Sequence, residues 1–292
     1  MNTAIRLDPA STIHAKGISH LASVAPASST LRDLLRLMGA EPGDTSHAPT
    51  AANLSVPLRR LHAGATLFHE GAPAEAICFV RAGTFKTFRT AEDGYEQVLG
   101  FSGRAEVMGF DALCMNNHPT AAVALEESSV YVVLMQDIFS LGERCPALDR
   151  VVHLAVSSAL TRRGELAELM AAVAAEVRLA RFLVQMSQRM AISGQSPRRF
   201  HLRMSRRDIA SHLGVAHETV SRSFSALAGW GFIQVDNREV EILDMDGLKA
   251  LSRSTRRQVV DQPLHDGGAR VADVPLAGSV QIQRQHRRSQ SR

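Results

Sequence analysis

The spacing of apolar residues changes repeatedly along the chain, and each change marks a different kind of structure. Up to about residue 55 the sequence is rich in Ala, Ser, Thr and Pro, with one amphipathic patch at Leu31, Leu34, Leu35, Leu37 and Met38. That patch predicts a short helix ended by Gly39, in an arm (1–55) otherwise expected to be mobile. From 56 to 143 short apolar runs predict strands over 76–81, 84–90, 96–101 and 129–135, separated by turn residues such as Gly64, Gly83, Asp93-Gly94, Gly109 and Asn116-Asn117. Short strands with turns every ~8 to 12 residues predict an antiparallel barrel or sandwich, although the glycines alone would also suit plain loops.

After Pro146 the period becomes helical: Leu148, Val152, Ala155, Ala159, Leu166 and Met170 fall near i+3 and i+4 steps within a stretch of 144–175. Small alanines in the middle of so long a stripe suit close helix packing, either as a seam between two copies of the chain or as a helix covering the barrel; the seam is the preferred reading. A second helix is expected over 176–190, stopped by Gly194 and Pro197.

The most informative stretch begins at Ser205. Ser205 can cap a helix whose third position, Asp208, completes a capping box, and Ile209, Ala210 and Leu213 supply its buried face. Gly214 ends that helix at a sharp turn, Val215 fills the corner, and 218–227 can form a second helix with Val220, Phe224 and Leu227 inward. This spacing is that of a helix-turn-helix. His217, Glu218, Ser221 and Arg222 then fall on the outward face, where Arg can fork onto guanine, Glu can accept from cytosine and Ser can bond either partner. Standing alone, Glu218 and Arg222 would read as a surface i,i+4 pair; inside the motif base readout is the better reading. Arg198, Arg199, Arg203, Arg206 and Arg207 form a local basic patch suited to phosphates, with Thr219 a further phosphate candidate. Two short apolar runs around Asp236-Asn237-Arg238 read as a hairpin, adding a wing.

Composition narrows the rest. At 292 residues the chain has room for about two domains. The net charge is only +4, which permits nucleic acid without demanding it, and 45% hydrophobic residues exclude wholesale disorder. No apolar run approaches the ~18 residues of a membrane span, and Asp8, Pro9 and His14 interrupt any secretory core, so a cytoplasmic protein without a membrane partner is expected. Cys78, Cys114 and Cys145 are too scattered for a disulfide framework or a metal knuckle and read as small core residues, with Cys145 or Cys114 the alternative candidates for a regulatory thiol. No His-x-His pair, P-loop, Gly-x-Ser-x-Gly elbow or His-Glu-x-x-His helix occurs, so a cupin-type metalloenzyme is disfavoured and no enzyme activity is expected. The tail, 257–292, is rich in Gln, Arg, His, Ser and Gly and is expected to be disordered, with Arg284, Arg287, Arg288 and Arg292 able to add nonspecific attraction to DNA.

This order of elements resembles the Crp/Fnr superfamily of bacterial transcription regulators over about residues 57–256, and its Fnr branch most. The likeness is carried by Leu67-Phe68-His69-Glu70-Gly71, Val80-Arg81-Ala82-Gly83-Thr84, Asp93-Gly94-Tyr95-Glu96-Gln97, Met108-Gly109-Phe110-Asp111-Ala112, His118-Pro119 and Glu218-Thr219-Val220-Ser221-Arg222. The resemblance implies an α+β fold: an N-terminal antiparallel β-roll (56–143), a long dimerisation helix (144–175) and a C-terminal winged helix-turn-helix (176–256). It also implies a homodimer that binds double-stranded DNA at a two-fold site related to TTGAT, four bases, ATCAA, and that recruits or blocks RNA polymerase. Glu218, Ser221 and Arg222 match the reading residues of that branch, whereas His217 departs from them. The Gly-Glu and Arg-Ser pairs that hold cyclic nucleotides are Gly109-Phe110 and Thr120-Ala121 here, so cyclic AMP is not expected. No cysteine precedes Cys78, and the roll position of the iron-sulfur ligand is Tyr131, so no cluster and no cofactor is expected. A haem- or gas-sensing member of the same family is the alternative, with His14, His20, His62, His69 and His118 as available ligands.

Overall fold

The computed structural model describes residues 29–40 and 53–254; most of the arm expected to be mobile, and the whole basic tail, lie outside the described residues. The described chain opens with α1 (Leu31–Leu37), started by a reciprocal capping box in which the Thr30 N–H donates to Asp33 Oδ2 at 2.9 Å and the Asp33 N–H donates to the Thr30 hydroxyl at 3.4 Å. Gly39 turns away at φ 69°, as the sequence predicts.

The roll is two four-stranded antiparallel sheets. β1 (Leu58–Leu61), β8 (Ser128–Leu134), β3 (Ala76–Ala82) and β6 (Val107–Met108) lie in that order in one; β2 (Thr66–Phe68), β7 (Ala121–Ala124), β4 (Phe85–Thr90) and β5 (Glu96–Ser102) form the other. Phe85, Ala122 and Ala124 of the second sheet face Cys78, Val80, Val130 and Val132 of the first across a closed apolar layer. The alternate residues of β3 and β8, Ile77, Phe79, Tyr131 and Val133, point the other way, into a layer with α1. Both faces of β3 are therefore buried, which explains its nearly continuous apolar run. Gly83 joins β3 to β4 at φ 93°, where a β-carbon would lie 2.0 Å from the Ser128 hydroxyl, so no other residue fits.

Differences from expectation cluster where signals are short. The expected strand over 129–135 is Ser128–Leu134, and Met135 instead begins an unforeseen helix, α2 (Met135–Arg144). The long helix is α3 (Pro146–Ala171), with Pro146 in the first turn where its missing N–H is harmless. Its seam needs correction. Leu148 and Ala155 are enclosed by the chain's own core, together with Leu31, Leu35, Phe79 and Val151, and Val152 packs against the same cluster. One face of the first half of α3 covers the roll, as the competing reading has it, and the exposed apolar residues of the helix are Leu154, Val156, Leu160 and Met170.

A second layered unit follows: α4 (Ala175–Ile192), β9 (Arg199–His201), α5 (Arg206–Leu213), α6 (His217–Gly229), β10 (Ile233–Asp236), β11 (Glu239–Ile242) and α7 (Met245–Arg253). The predicted hairpin is present, and β9, read from sequence only as part of a basic patch, pairs with β11 to complete a three-stranded sheet. The apolar core of this unit, including Leu183, Ile209, Leu213, Val220, Phe224 and Leu227, is continuous with Phe88, Val98 and Phe101 of the roll. Among the described residues no helix is long and apolar enough to cross a membrane.

Because Leu148 is 0% exposed at the centre of the α1–roll–α3 layer, Leu148→Ala is expected to lower stability by about 2–5 kcal/mol in urea unfolding. Met115→Ala, at a site 60% exposed, should shift it by less than about 0.5 kcal/mol.

Candidate nucleic-acid interface

Local chemistry explains why α5 and α6 form where they do. The Ser205 backbone N–H donates to Asp208 Oδ2 at 2.9 Å, while the Asp208 N–H donates back to the Ser205 hydroxyl at 3.1 Å, so the predicted capping box is formed. Gly214 terminates α5 in the left-handed region at φ 62°. Val215 fills the corner, its N–H donating to the Ala210 carbonyl at 3.1 Å. Along α6, Val220, Ser223, Phe224 and Leu227 are buried, which leaves His217, Glu218, Ser221 and Arg222 exposed on the opposite face of its first turns. Among the described residues Glu218 and Arg222 form no ion pair with each other, so neither side chain is held by the other. Thr219 is half-buried beside them.

The five arginines divide. Arg198, Arg199, Arg203 and Arg207 are exposed, but Arg203 Nε also lies 3.1 Å from Glu126 of the roll. Arg206 has a different role from a free phosphate contact: its guanidinium stacks 3.4 Å from the centre of the Phe224 ring and donates to the Asn237 carbonyl at 3.0 Å. Burial, with Arg238 nearby, pushes its pKa down to about 10, so it stays charged at neutral pH while bracing the wing against α6. Between the start of α5, the start of α6 and the wing lies a basin of about 410 Å³ whose lining includes Arg207, His217, Asn237 and Arg238. In the sequence Arg238 carries only a hairpin-turn signal; Asn237 at φ 52° marks that turn, and Arg238 lines the basin.

Ser211 and Lys86 carried no signal in the sequence, yet they fix the helix-turn-helix to the roll. The Ser211 hydroxyl donates to the Glu96 carbonyl at 2.6 Å and accepts from the Val98 N–H at 2.8 Å, and Gln97 Nε2 donates to the Ser211 carbonyl at 2.9 Å. Lys86 Nζ bridges Glu96 at 2.6 Å and Asp208 at 3.0 Å. Burial works against both charges of that second pair, but hydrogen bonds from Ser205 and Lys86 hold the Asp208 carboxyl below its usual range, and Glu96 and Asp208 raise Lys86. His212 closes the joint, edge-on to Phe101 at 5.2 Å and Phe182 at 5.9 Å, and burial drives its pKa down to about 4.

A double-sheet roll, a long helix and a winged helix-turn-helix with an exposed polar face define a regulator that binds DNA through its C-terminal unit. Residues 58–145 match the cyclic nucleotide-binding domain family, and residues 177–251 match the Crp-like helix-turn-helix domain. The chain is 38% identical over 192 residues to the transcriptional regulatory protein btr of Bordetella pertussis, covering 66% of this chain and 79% of that one. It is 36% identical over 194 residues to the transcriptional activator protein anr of Pseudomonas aeruginosa, covering 66% and 80%. Among solved structures, FixK2 from Bradyrhizobium japonicum aligns with a TM-score of 0.62 at 26% identity, covering 69% of this chain and 99% of that one. The chain belongs to the Crp/Fnr family of transcription regulators, which are not enzymes.

Two outcomes follow from the joint. Ser211→Ala leaves the buried Val98 N–H without its acceptor and is expected to cost about 1–3 kcal/mol, with faster hydrogen exchange at Val98. Since His212 titrates at about 4 when folded and near 6.5 when unfolded, unfolding takes up a proton between those values. Stability therefore falls as pH drops through that window, by roughly 3 kcal/mol at full extent, and His212→Phe should flatten the slope in urea titrations.

Proposed function

We propose that this regulator works in the cytoplasm as a homodimer on a two-fold DNA site of the Fnr type, related to TTGAT, four bases, ATCAA, and acts through RNA polymerase. The observation that carries the reading is the exposed row Glu218, Ser221 and Arg222 on α6, backed by buried Val220 and Phe224, which leaves those side chains free to meet base edges in a major groove. His217 at the first position of α6 tunes the outer base. Phosphate contacts come from Arg198, Arg199, Arg203, Arg207 and Thr219, with Arg206 holding the wing in position. The seam between subunits lies on the outward face of α3, where Val156, Leu160 and Met170 are exposed alongside half-buried Ala159 and Leu166.

Neither cyclic AMP nor an iron-sulfur cluster fits the residues present. Thr120 stands where a nucleotide phosphate would need a cation, its hydroxyl 3.4 Å from the Asp111 carboxylate, and Phe110 stands where the ribose would need a carboxylate. Of the three cysteines, Cys78 is buried with its thiol pushed up to about 12, far from the thiolate that a cluster requires, and Cys145 is buried on the other side of that sheet's core layer.

Fluorescence anisotropy with an Fnr-type palindrome and a scrambled duplex at physiological salt tests the reading. Specific binding is expected; equal affinity for both duplexes rejects it. Arg222→Ala should cost about 1–3 kcal/mol and relax one base position, whereas Arg207→Ala should weaken every sequence alike.

A further inference from the structure

The end of β5 and the turns that follow β3 and β7 line a cleft of about 450 Å³ together with α4 and β9, and none of its lining residues belongs to α6. Phe101, Met186, Met190 and Met204 give it an apolar wall. Its charged groups are four guanidiniums, two carboxylates and His201. Both carboxylates are engaged: Glu126 accepts from the Thr84 hydroxyl at 2.7 Å and lies 3.1 Å from Arg203, while Glu106 lies 2.7 Å from Arg162, which is outside the lining. His201 is held by Glu239 at 2.7 Å, and Arg189 donates to the Phe101 carbonyl at 3.0 Å with Glu165 3.9 Å away. That leaves Arg104 and Arg199. Arg104 donates to the Arg81 carbonyl at 3.0 Å, and Glu241 stands opposite Arg199 in the β9–β11 ladder, but among the described residues neither guanidinium has an ion-pair partner. The turn that carries Arg104 is held in a costly shape, since Ala105 lies in the left-handed region at φ 61°, its N–H donating to the Val80 carbonyl at 2.9 Å.

We propose that this cleft binds a small dicarboxylate with an apolar body, one carboxylate meeting Arg104 of the roll and the other Arg199 of β9. Each guanidinium can fork onto a planar carboxylate and balances its single charge, whereas a phosphate monoester would bring a second charge that no further cation answers. An uncharged occupant would gain neither pair, and the volume lies within the roughly 300–1,000 Å³ typical of ligand pockets. Such a ligand ties the roll to the winged unit through groups that the joint at Ser211 does not use. The proposal does not rest on the DNA reading above, although Arg199 and Arg203 figure in both.

The probe is naphthalene-2,6-dicarboxylate, titrated into the full chain without DNA and read by its own fluorescence. Saturation at one probe per chain is expected, with 2-naphthoate, which has one carboxylate, binding about tenfold more weakly and the neutral 2,6-naphthalenedimethanol failing to displace the probe. Arg104→Gln and Arg199→Gln should each bring the dicarboxylate down to the affinity of 2-naphthoate, while Arg207→Gln, outside the cleft, should leave it within about twofold. Absence of saturation, equal affinity for the diacid and the monoacid, displacement by the diol, or binding lost in Arg207→Gln but kept in the other two variants would each overturn the proposal. The acid series uses only the wild-type chain, so it decides the matter even where a variant does not fold. Palindrome binding that persists without dicarboxylate binding would sink the cleft and leave the DNA reading standing.

Discussion

The orientation of the helix-turn-helix against the roll is fixed first by one hydroxyl. Ser211 faces the backbone of β5 and satisfies both a carbonyl and an N–H there, at 2.6 and 2.8 Å. β5 is the last strand of its sheet, so these groups would otherwise form an unpaired edge. By covering that edge, α5 is held at one height and one rotation against the roll, and α6 follows because Gly214 and Val215 leave little freedom between the two helices. Asp208 serves twice: its carboxylate starts α5 through the capping box and anchors the same turn to Lys86. Forming the helix and docking it are thus chemically one event at that residue.

Arginine supplies the other ties, and it does so through carbonyls more than through carboxylates. Arg178 donates to the Ala172 carbonyl beyond the end of α3 and to the Leu213 carbonyl at the end of α5, both at 2.8 Å. Arg181 reaches the Ser252 and Ser254 carbonyls at 2.7 and 3.0 Å, as well as that of Glu168. Helix C-termini present such carbonyls without partners and carry partial negative charge, so a guanidinium meets both needs together. The total charge of +4 therefore says little about DNA affinity, because several cations brace the fold while Arg207, Arg222 and Arg238 remain exposed.

What could be read from sequence was what local chemistry dictates. The Ser205–Asp208 box, Gly214, and the inward Val220, Phe224 and Leu227 are all specified within a few residues, and each is found in the structure. The same holds for the first helix and its stop at Gly39. Illegible features depend on partners far along the chain. β7 reads Ala-Ala-Val-Ala, a segment with little strand character, and it is a strand because β2 and β4 flank it. Leu148 and Met170 both lie on the helical stripe of α3, yet one is enclosed and the other is 40% exposed. Periodicity gives a face of a helix, not what covers it. Ser211 likewise looks like any helix serine until β5 is brought beside it.

The same joint gives the roll a physical means of acting on DNA binding. Phe101 belongs to β5, Phe182 to α4 and His212 to α5, so this ring cluster spans the contact that orients α6. A cleft beside the joint is lined by the same rings, and protein interiors repack between discrete arrangements instead of deforming smoothly. Whatever favours one packing of the three rings favours one seating of α5, and a shift of α5 changes where Glu218 and Arg222 stand relative to the roll. The size of that effect is bounded by how differently the controlling event interacts with the two packings. Because burial has removed the charge from His212, that difference lies in shape and apolar contact more than in electrostatics at neutral pH.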